Sequence, residues 1–326
     1  MGRRRKKGNP ITGWLVLDKP LEMTSTAAVG RVRWLLQAQK AGHAGTLDPL
    51  ATGLLPIALG EATKTVPFVM DADKTYEFTI QWGQSTDSQD AEGAVIATSD
   101  VRPSREAIEN ALPQFTGEIQ QVPPKYSAIK VNGERAYDLA RDGEEVELEA
   151  RPITVYTLEV VDIPDADHCV LRMCCGKGGY VRALARDLCA VLGTEGHVTA
   201  LRRTQLGAFA EARAISLDSF EKMCNEGRAL EALVPIATAL DDIPAVAVTG
   251  PEASHLRQGR AIALLPHVRD ELRAQHLDHD PTGDDRWVLA MAGQDEVALC
   301  EARAGQLSPK RVFIKTEKPD VDYTRA

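Results

Sequence analysis

The sequence of 326 residues has no apolar run that approaches the roughly 18 residues needed to cross a lipid bilayer. Its basic start, MGRRRKKGNP, is not followed by an apolar segment, so we expect no secretory signal. Charge patterning leaves two interpretations of this start open: a solvated tail, or an arm that contacts a polyanion. The content of apolar and charged residues is ordinary for a soluble globular protein.

Motifs for metal and nucleotide binding are also missing. The six cysteines include no C-x-x-C pair and accompany no histidine pair at zinc spacing. This pattern favours reduced, buried thiols in a cytosolic protein. The glycine-rich stretch GKGG does not have the P-loop spacing, which excludes that type of nucleoside triphosphate site.

Acidic and basic residues are unevenly distributed along the chain. The net charge of −9 by itself argues against a nucleic-acid partner. Residues 1–70 nevertheless carry ten Lys or Arg against four Asp or Glu, and residues 172–203 carry six against two. Residues 71–122 carry three against ten. A binding face needs only local positive potential, so charge leaves a polyanionic substrate open.

Strand and helix patterns are mixed without regular alternation, which predicts an α+β fold and not a doubly wound parallel sheet. The segment KTYEFTIQWG has the period-two pattern of a strand and puts Tyr76 on its apolar face. The segment GGYVRALARDLCAVLG predicts a helix with an apolar stripe, and Gly193 suits its C-terminal cap.

The segment HAGTLDPLATGLL surrounds one acidic residue, Asp48, with apolar side chains. A loop aspartate that caps a turn or a helix is the common interpretation. Gly45 and Gly53 would allow a ligand to approach the backbone closely, and Pro49 would stiffen the position after the acid. In such surroundings Asp48 could instead be a nucleophile or an electrostatic partner of a developing cation. The segment has no second carboxylate, unlike ordinary glycoside hydrolases.

Three further residues admit a structural and a functional interpretation. Tyr76 lies on the apolar face of a strand, where core packing is the commoner role. Tyr180 and Arg182 begin the predicted helix after a glycine-rich turn, which can bind an anion through its free N–H groups. Arg182 falls off the apolar stripe, so it is either a solvated arginine or the partner of a buried carboxylate.

Six motifs occur in order: LDKPLEMTS, HAGTLDPLATGLLPIALGEATK, YEFTIQWGQSTDSQDAEG, VPPKYSAIKVNGERAYDLAR, GGYVRALARDL and LRRTQLGAF. Together they closely resemble the bacterial tRNA pseudouridine-55 synthases, the TruB family, over about residues 11–215. The resemblance implies a pseudouridine synthase-type mixed, largely antiparallel sheet with flanking helices, plus a small PUA-like β-rich C-terminal domain. Glu22 departs from the pattern, because the family usually has glycine there.

The resemblance, together with a change near Ile243 from a helical pattern to short strands, predicts four segments. They are a basic tail at 1–10, a pseudouridine synthase catalytic domain at 11–243, a PUA-like RNA-binding domain at 244–315 and a tail at 316–326. The implied substrate is the T-stem-loop of tRNA, and no metal, organic cofactor or protein partner is implied. We expect a monomeric, cytoplasmic enzyme with no membrane association.

The resemblance also implies the reaction and the residues that perform it. Uridine 55 would become pseudouridine by C1′–N1 cleavage, rotation of the base and C1′–C5 joining, after the base flips out of the loop. Asp48 would be the catalytic residue and would pair with Arg182. Asp48 would either attack C1′ or remove a sugar proton, and the sequence leaves both routes open. Tyr76 would stack on the uracil and take part in proton transfer.

Four further positions match the family motifs as substrate-binding residues. Tyr180 would line the pocket, and Leu201 would pack against the base. His43 would lie near the flipped-out nucleotide, although by pattern alone it is an ordinary loop histidine. Lys19 would lie near the site, where a surface charge is the simpler interpretation.

Two other functions are compatible with parts of the sequence. An RNA-binding or RNA-folding module with a structural Asp48 would explain the basic segments and the C-terminal domain. A synthase that works in a guide-RNA complex would share the motifs, but VPPKYSAIKVNGERAY and the short C-terminal module favour a standalone enzyme. A folding-assistant role alongside catalysis is left open.

Overall fold

The computed structural model describes residues 8–127, 130–131, 134–135, 148–266, 268, 272 and 286–315. The predicted tail at 316–326 and most of the predicted basic tail lie outside these residues. The helices described are α1 (Ser25–Leu35), α2 (Val66–Asp71), α3 (Arg105–Ala111), α4 (Val181–Val191), α5 (Leu217–Asn225) and α6 (Gly250–Arg257).

The strands run in chain order through two sheets and two short hairpins. They are β1 (Gly13–Lys19), β2 (Ala41–His43), β3 (Ala51–Leu59), β4 (Lys74–Trp82), β5 (Gln84–Thr86), β6 (Val95–Thr98), β7 (Gly117–Gln121), β8 (Lys130–Val131), β9 (Glu134–Arg135), β10 (Arg151–Asp162), β11 (His168–Cys175), β12 (Gly196–Leu206), β13 (Phe209–Ala210), β14 (Ile215–Ser216), β15 (Leu233–Val234), β16 (Ala245–Ala247), β17 (Ile262–Ala263), β18 (Arg286–Ala292), β19 (Asp295–Arg303) and β20 (Gln306–Val312).

The large sheet has the order β14–β1–β3–β12–β4–β11–β10–β7, with β2, β13 and β15 attached to β3, β12 and β1. Among its described pairings, β1 with β14 and β3 with β12 are parallel, and the others are antiparallel. This mixed, largely antiparallel sheet with packed helices confirms the predicted α+β fold.

Local patterns explain the two elements that matter most for the site. On β4, Phe78, Ile80 and Trp82 are buried on one face, as the period-two pattern predicts. Helix α4 packs its apolar stripe against the same core, and Gly193 follows it with a φ of 66°. A glycine adopts this left-handed backbone without strain, so the helix stops here.

The second sheet has the order β16–β18–β19–β20–β17 and encloses a core of its own. Leu289, Leu299 and Phe313 also pack with Trp14 of β1 in a cluster shared with the large sheet. The C-terminal sheet therefore joins the rest of the molecule through apolar side chains.

The described residues contain no helix that is both long and apolar enough to span a bilayer. All six cysteines are free thiols, and five of them are buried. Burial raises the pKa of Cys175, Cys189 and Cys300 to about 12, so these thiols stay protonated at neutral pH. The expectation of reduced, buried cysteines is confirmed.

Candidate active site

The loop between β2 and β3 holds Asp48 by fixing the residues on both sides of it. The Ser25 hydroxyl accepts from the Leu47 N–H and donates to the Leu47 carbonyl, both at 2.9 Å. After the acid, the Pro49 carbonyl accepts from Lys19 Nζ at 3.2 Å. Asp48 thus lies on a backbone that is tied at its start to helix α1 and at its end to β1.

Lys19 is buried and holds this loop through hydrogen bonds to backbone carbonyls. Its side chain is 0% exposed, and its ammonium also donates to the carbonyls of Pro20 and Met23 at 2.9 and 2.6 Å. Burial lowers the pKa of Lys19 to about 8, against the raising effect of the nearby Asp48. The side chain is near the predicted site, but it is occupied by three backbone carbonyls and covered by protein.

Glu22 has the backbone conformation that its position demands despite not being glycine. Its φ is 61°, in the left-handed region that favours glycine, and its N–H donates to the Pro49 carbonyl at 3.0 Å. A residue other than glycine is therefore strained at this turn.

Asp48 and Arg182 form an ion pair, as the sequence predicts. The distance from Asp48 Oδ2 to Arg182 Nη2 is 2.8 Å. The Arg182 side chain is only 6% exposed and also donates to the carbonyls of Ser88 and Tyr126, at 3.0 and 2.8 Å. The Asp48 side chain is 41% exposed, so a fixed cation holds an acid that is still accessible.

A second carboxylate contacts the same guanidinium. Asp90 Oδ2 lies 3.6 Å from Arg182 Nη1, and Asp90 is buried. Its other oxygen accepts from the Ser88 hydroxyl at 2.5 Å and from the Glu92 N–H at 3.1 Å. The acid in the HAGTLDP segment is therefore not alone in space, although Asp90 is held by its own hydrogen bonds.

A cavity of about 260 Å³ opens beside this ion pair. Four of the predicted residues line it together with Asp48: Tyr76, Tyr180, Arg182 and Leu201. Leu201 on β12 faces Phe78 of β4 and Ala51 of β3 in the sheet register. The wall of the cavity thus combines an acid, two phenol rings and an aliphatic side chain.

Tyr180 begins helix α4 and is fixed by its backbone. Its N–H donates to Gln121 Oε1 at 2.9 Å, and its carbonyl accepts from Gln121 Nε2 at 3.1 Å. Burial raises the pKa of the Tyr180 hydroxyl. Gln121 therefore fixes the backbone of the residue that immediately precedes helix α4.

His43 lines a different cavity, of about 550 Å³, on the other side of Asp48. Its Nδ1 is buried and has no hydrogen-bond partner among the described residues. Burial lowers the pKa of His43, and the positive charge of Arg203 adds to this, so the imidazole is neutral near neutral pH. His43 is next to Asp48 but not in the same cavity as Tyr76.

The two glycines near Asp48 make room for Arg203. Gly45 also lines the cavity, where the expected close approach of a ligand stays a prediction, whereas Gly53 is not among the lining residues. A Cβ at Gly53 would lie 2.3 Å from the Arg203 carbonyl oxygen, and one at Gly45 would lie 3.1 Å from Arg203 Nη1. Both glycines have positive φ values, 93° and 77°. They allow the strand and the side chain of Arg203 to pack directly on this loop.

Sequence reasoning missed several charged residues that line the two cavities, among them Arg203, Lys74 and Asp90. Arg203 and Lys74 line the first cavity, and Asp90 lines the second. A signal existed for Arg203, because it stands two positions after Leu201 and so shares its face of the strand. Nothing in the local sequence marks Asp90, whose contact with Arg182 spans more than 90 positions.

The geometry favours a reaction that a carboxylate starts on a ligand containing a flat ring. An accessible carboxylate sits beside a cavity with stacking surfaces, and a buried arginine neutralises it. No group of three or more His, Cys, Asp or Glu side chains in the described ranges is arranged to hold a metal ion.

Two family models match the chain in succession. Residues 33–181 match "TruB family pseudouridylate synthase (N terminal domain)", and residues 182–241 match "tRNA pseudouridylate synthase B C-terminal domain". The boundary between them falls at the start of helix α4, between the positions of Tyr180 and Arg182.

Curated relatives match over nearly the whole length. The "tRNA pseudouridine synthase B" of Caulobacter vibrioides is 62% identical over 313 residues, which cover 96% of this chain and 99% of the relative. The protein of the same name from Bradyrhizobium diazoefficiens is 53% identical over 325 residues, covering 96% of this chain and 91% of the relative.

Two solved structures share the fold at low identity. "Structure of H/ACA RNP bound to a substrate RNA containing 2′-deoxyuridine" contains a chain with a TM-score of 0.70 and 22% identity, covering 96% of this chain and 92% of that one. "Crystal Structure of a Cbf5-Nop10-Gar1 Complex" contains a chain with a TM-score of 0.70 and 23% identity, covering 95% of this chain and 92% of that one. The C-terminal sheet fits the expected PUA-like domain.

Proposed function

The chain belongs to the TruB family of pseudouridylate synthases, and on this premise we propose that it converts uridine 55 in the T-loop of tRNA to pseudouridine. Pseudouridine synthases are isomerases. The observation that carries the proposal is the 2.8 Å ion pair of Asp48 and Arg182 at the wall of a cavity lined by Tyr76 and Leu201.

Asp48 starts the reaction at the sugar. It either attacks C1′ or removes a sugar proton, and the C1′–N1 bond breaks. The freed uracil turns, and C1′ joins C5. As this bond forms, Asp48 leaves C1′ on the first route or returns the sugar proton on the second. C5 then loses its proton and N1 gains one, so the composition is unchanged. The accessible carboxylate suits this step, and the buried Arg182 keeps a positive charge beside it throughout.

The cavity wall holds the base while it is detached. Tyr76 stacks on the uracil, an interaction worth about 1–3 kcal/mol per base, and Leu201 packs against it. Tyr180 closes the side next to helix α4. These surfaces exclude water, which would otherwise compete for C1′. His43 lies beside the flipped-out nucleotide in the second cavity, and Lys19 supports the loop from behind.

We place RNA binding on basic segments and on the C-terminal domain at 244–315. The target base must leave its loop to reach Asp48, as in other enzymes that modify bases. Recognition then depends on loop shape and splayed bases. We further propose a monomeric cytoplasmic enzyme without metal, cofactor or protein partner. Light scattering on the purified chain, with and without RNA, tests the monomer.

A tritium-release assay tests the function. The substrate is a T-stem-loop transcript with tritium at C5 of uridine, because joining C1′ to C5 expels that hydrogen. The purified chain, without any other RNA or protein, should release the tritium of a single uridine. Asp48→Asn should give only the level measured without enzyme.

Asp18→Asn is the matched control. Asp18 accepts two hydrogen bonds from Arg202 outside the cavity, at 3.0 and 2.9 Å, so it is also an arginine-paired carboxylate. We expect this variant to retain wild-type activity. Wild-type rates in Asp48→Asn would refute the enzymatic role and favour an RNA-binding module. Activity only after adding a guide RNA would refute the standalone enzyme.

A further inference from the structure

Strand β12 carries two adjacent arginines with opposite surroundings. Arg202 faces outward and pairs with Asp18 and Glu211, at 2.9 and 2.6 Å. Arg203 faces inward and is only 1% exposed. Because neighbouring residues of a strand point to opposite faces, these two side chains form a natural pair of test and control.

Arg203 is a buried cation held by carbonyl groups. Its Nε donates to the Leu54 carbonyl at 2.8 Å, and its Nη2 donates to the Gly45 carbonyl at 3.0 Å. These two carbonyls flank the loop that carries Asp48. Within the described part of the chain, no Asp or Glu forms an ion pair with Arg203. Buried charges are ordinarily paired, so this one is unusual.

The charge of Arg203 is directed at the cavity. Arg203 and Leu201 line it from the same face of β12. In the register of β12 with β4, Arg203 lies directly opposite Tyr76, and its guanidinium interacts with the Tyr76 hydroxyl. Cross-strand neighbours on one face are the side chains that touch most closely in a sheet.

The surroundings of the Tyr76 hydroxyl come from three elements. Burial raises the pKa of this phenol, and the positive charge of Arg203 on β12 opposes that rise. Cys175 on β11 and Asp48 on its loop act in the raising direction. Arg203 is therefore the group that favours negative charge on the Tyr76 oxygen.

We propose that Arg203 is a positioning residue that acts through Tyr76, stabilising negative charge on its oxygen so that this oxygen can take the C5 proton. The inference rests on the proposed function. Tyr76 first loses its phenol proton to water. The C5–H bond then breaks, its electron pair restores the C5–C6 double bond, and the C5 proton passes to the Tyr76 oxygen, so the tyrosine ends as a neutral phenol.

The test is the rate of tritium release in a single turnover, measured from pH 6 to pH 10. We expect Arg203→Gln to be slower by about 100-fold at pH 7, the lower end of what general acid–base catalysis contributes. The deficit should shrink as pH rises, because alkali ionises Tyr76 without help from Arg203. Arg203→Lys should recover part of the rate. Arg202→Gln, the matched control, removes an arginine that Asp18 and Glu211 already neutralise. With enzyme in saturating excess, so that RNA affinity does not limit the rate, it should behave as wild type.

A second background separates this role from a merely structural one. In the Tyr76→Phe variant, adding Arg203→Gln should slow tritium release by less than about twofold more, because the hydroxyl through which Arg203 acts is already gone. A full additional loss in that background, or a deficit that is constant with pH, would overturn the proposal. If Arg203→Gln does not fold, Arg203→Lys carries the same comparison.

The assay also separates this inference from the function beneath it. If wild type is inactive, or if Asp48→Asn is active, the proposed function fails. If both behave as expected and Arg203→Gln matches Arg202→Gln, only the inference about Arg203 fails.

Discussion

Gly53 is the position at which one added methyl group should push strand β3 away from strand β12. It lies on β3 and pairs with Arg203 of the parallel strand β12. A Cβ there would be 2.3 Å from the Arg203 carbonyl oxygen and 3.0 Å from its nitrogen. Both are backbone atoms, which cannot rotate away, so in Gly53→Ala the strands must move apart.

The cost of Gly53→Ala has two parts. The φ of 93° is strained for alanine, and a left-handed backbone costs an L-residue about 1–2 kcal/mol. Overpacking against neighbours that cannot yield typically costs about 1–3 kcal/mol. We therefore expect the free energy of unfolding to fall by about 2–5 kcal/mol, a large share of the 5–15 kcal/mol of a typical domain. Tritium release should slow as well, because β3 and β12 hold the Asp48 loop.

Urea unfolding followed by circular dichroism measures this change, and Gly30→Ala is its control. Gly30 lies on the exposed side of α1, and a Cβ there would meet no atom within 4 Å. Alanine should therefore raise the stability by about 0.5–1 kcal/mol through its helix propensity. The close approach of β12 to β3 is refuted if the free energy of unfolding of Gly53→Ala lies within about 0.5 kcal/mol of the wild-type value, roughly the limit of such measurements.

Two further predictions concern the turn beneath Asp48. Glu22→Gly should stabilise the protein by about 0.5–1 kcal/mol in urea unfolding, because it removes the strain of a φ of 61°; lower stability would contradict this. Burial lowers the pKa of Lys19 to about 8 from 10.5, so between these values the unfolded chain binds more protons. The contribution of Lys19 to the free energy of unfolding should therefore rise with pH across this window. Wild type should gain stability relative to Lys19→Met from pH 8 to 10, and a constant difference would contradict it.

The sequence was sufficient where a local pattern decides the structure. The alternation in KTYEFTIQWG predicted the buried face of β4, and the stripe after GGY predicted α4. The pairing of Asp48 with Arg182 came from motif resemblance, since the two residues are far apart in the chain. The segment HAGTLDPLATGLL contains a single carboxylate, but no local pattern shows that Asp90 approaches the same arginine in the fold.

What the sequence could not supply is sheet register. The roles of Gly45 and Gly53 depend on β12 lying beside β3, and no local pattern states which strands are neighbours. The same register puts Arg203 opposite Tyr76 and gives a buried arginine a place in the site. Lys19 was expected to be near the site, and its burial under three carbonyls is a property of the folded turn alone.

The difference in exposure between the two members of the ion pair has a chemical consequence. Arg182 is held by Ser88, Tyr126 and Asp90, so its charge cannot follow a moving substrate. Asp48 lies on a loop fixed at both ends but keeps its carboxylate accessible. When a base fills the cavity and displaces water, the local dielectric falls and the attraction between the pair grows. In the proposed reaction, Asp48 therefore meets the sugar already oriented, and its charge is balanced by a partner that does not leave.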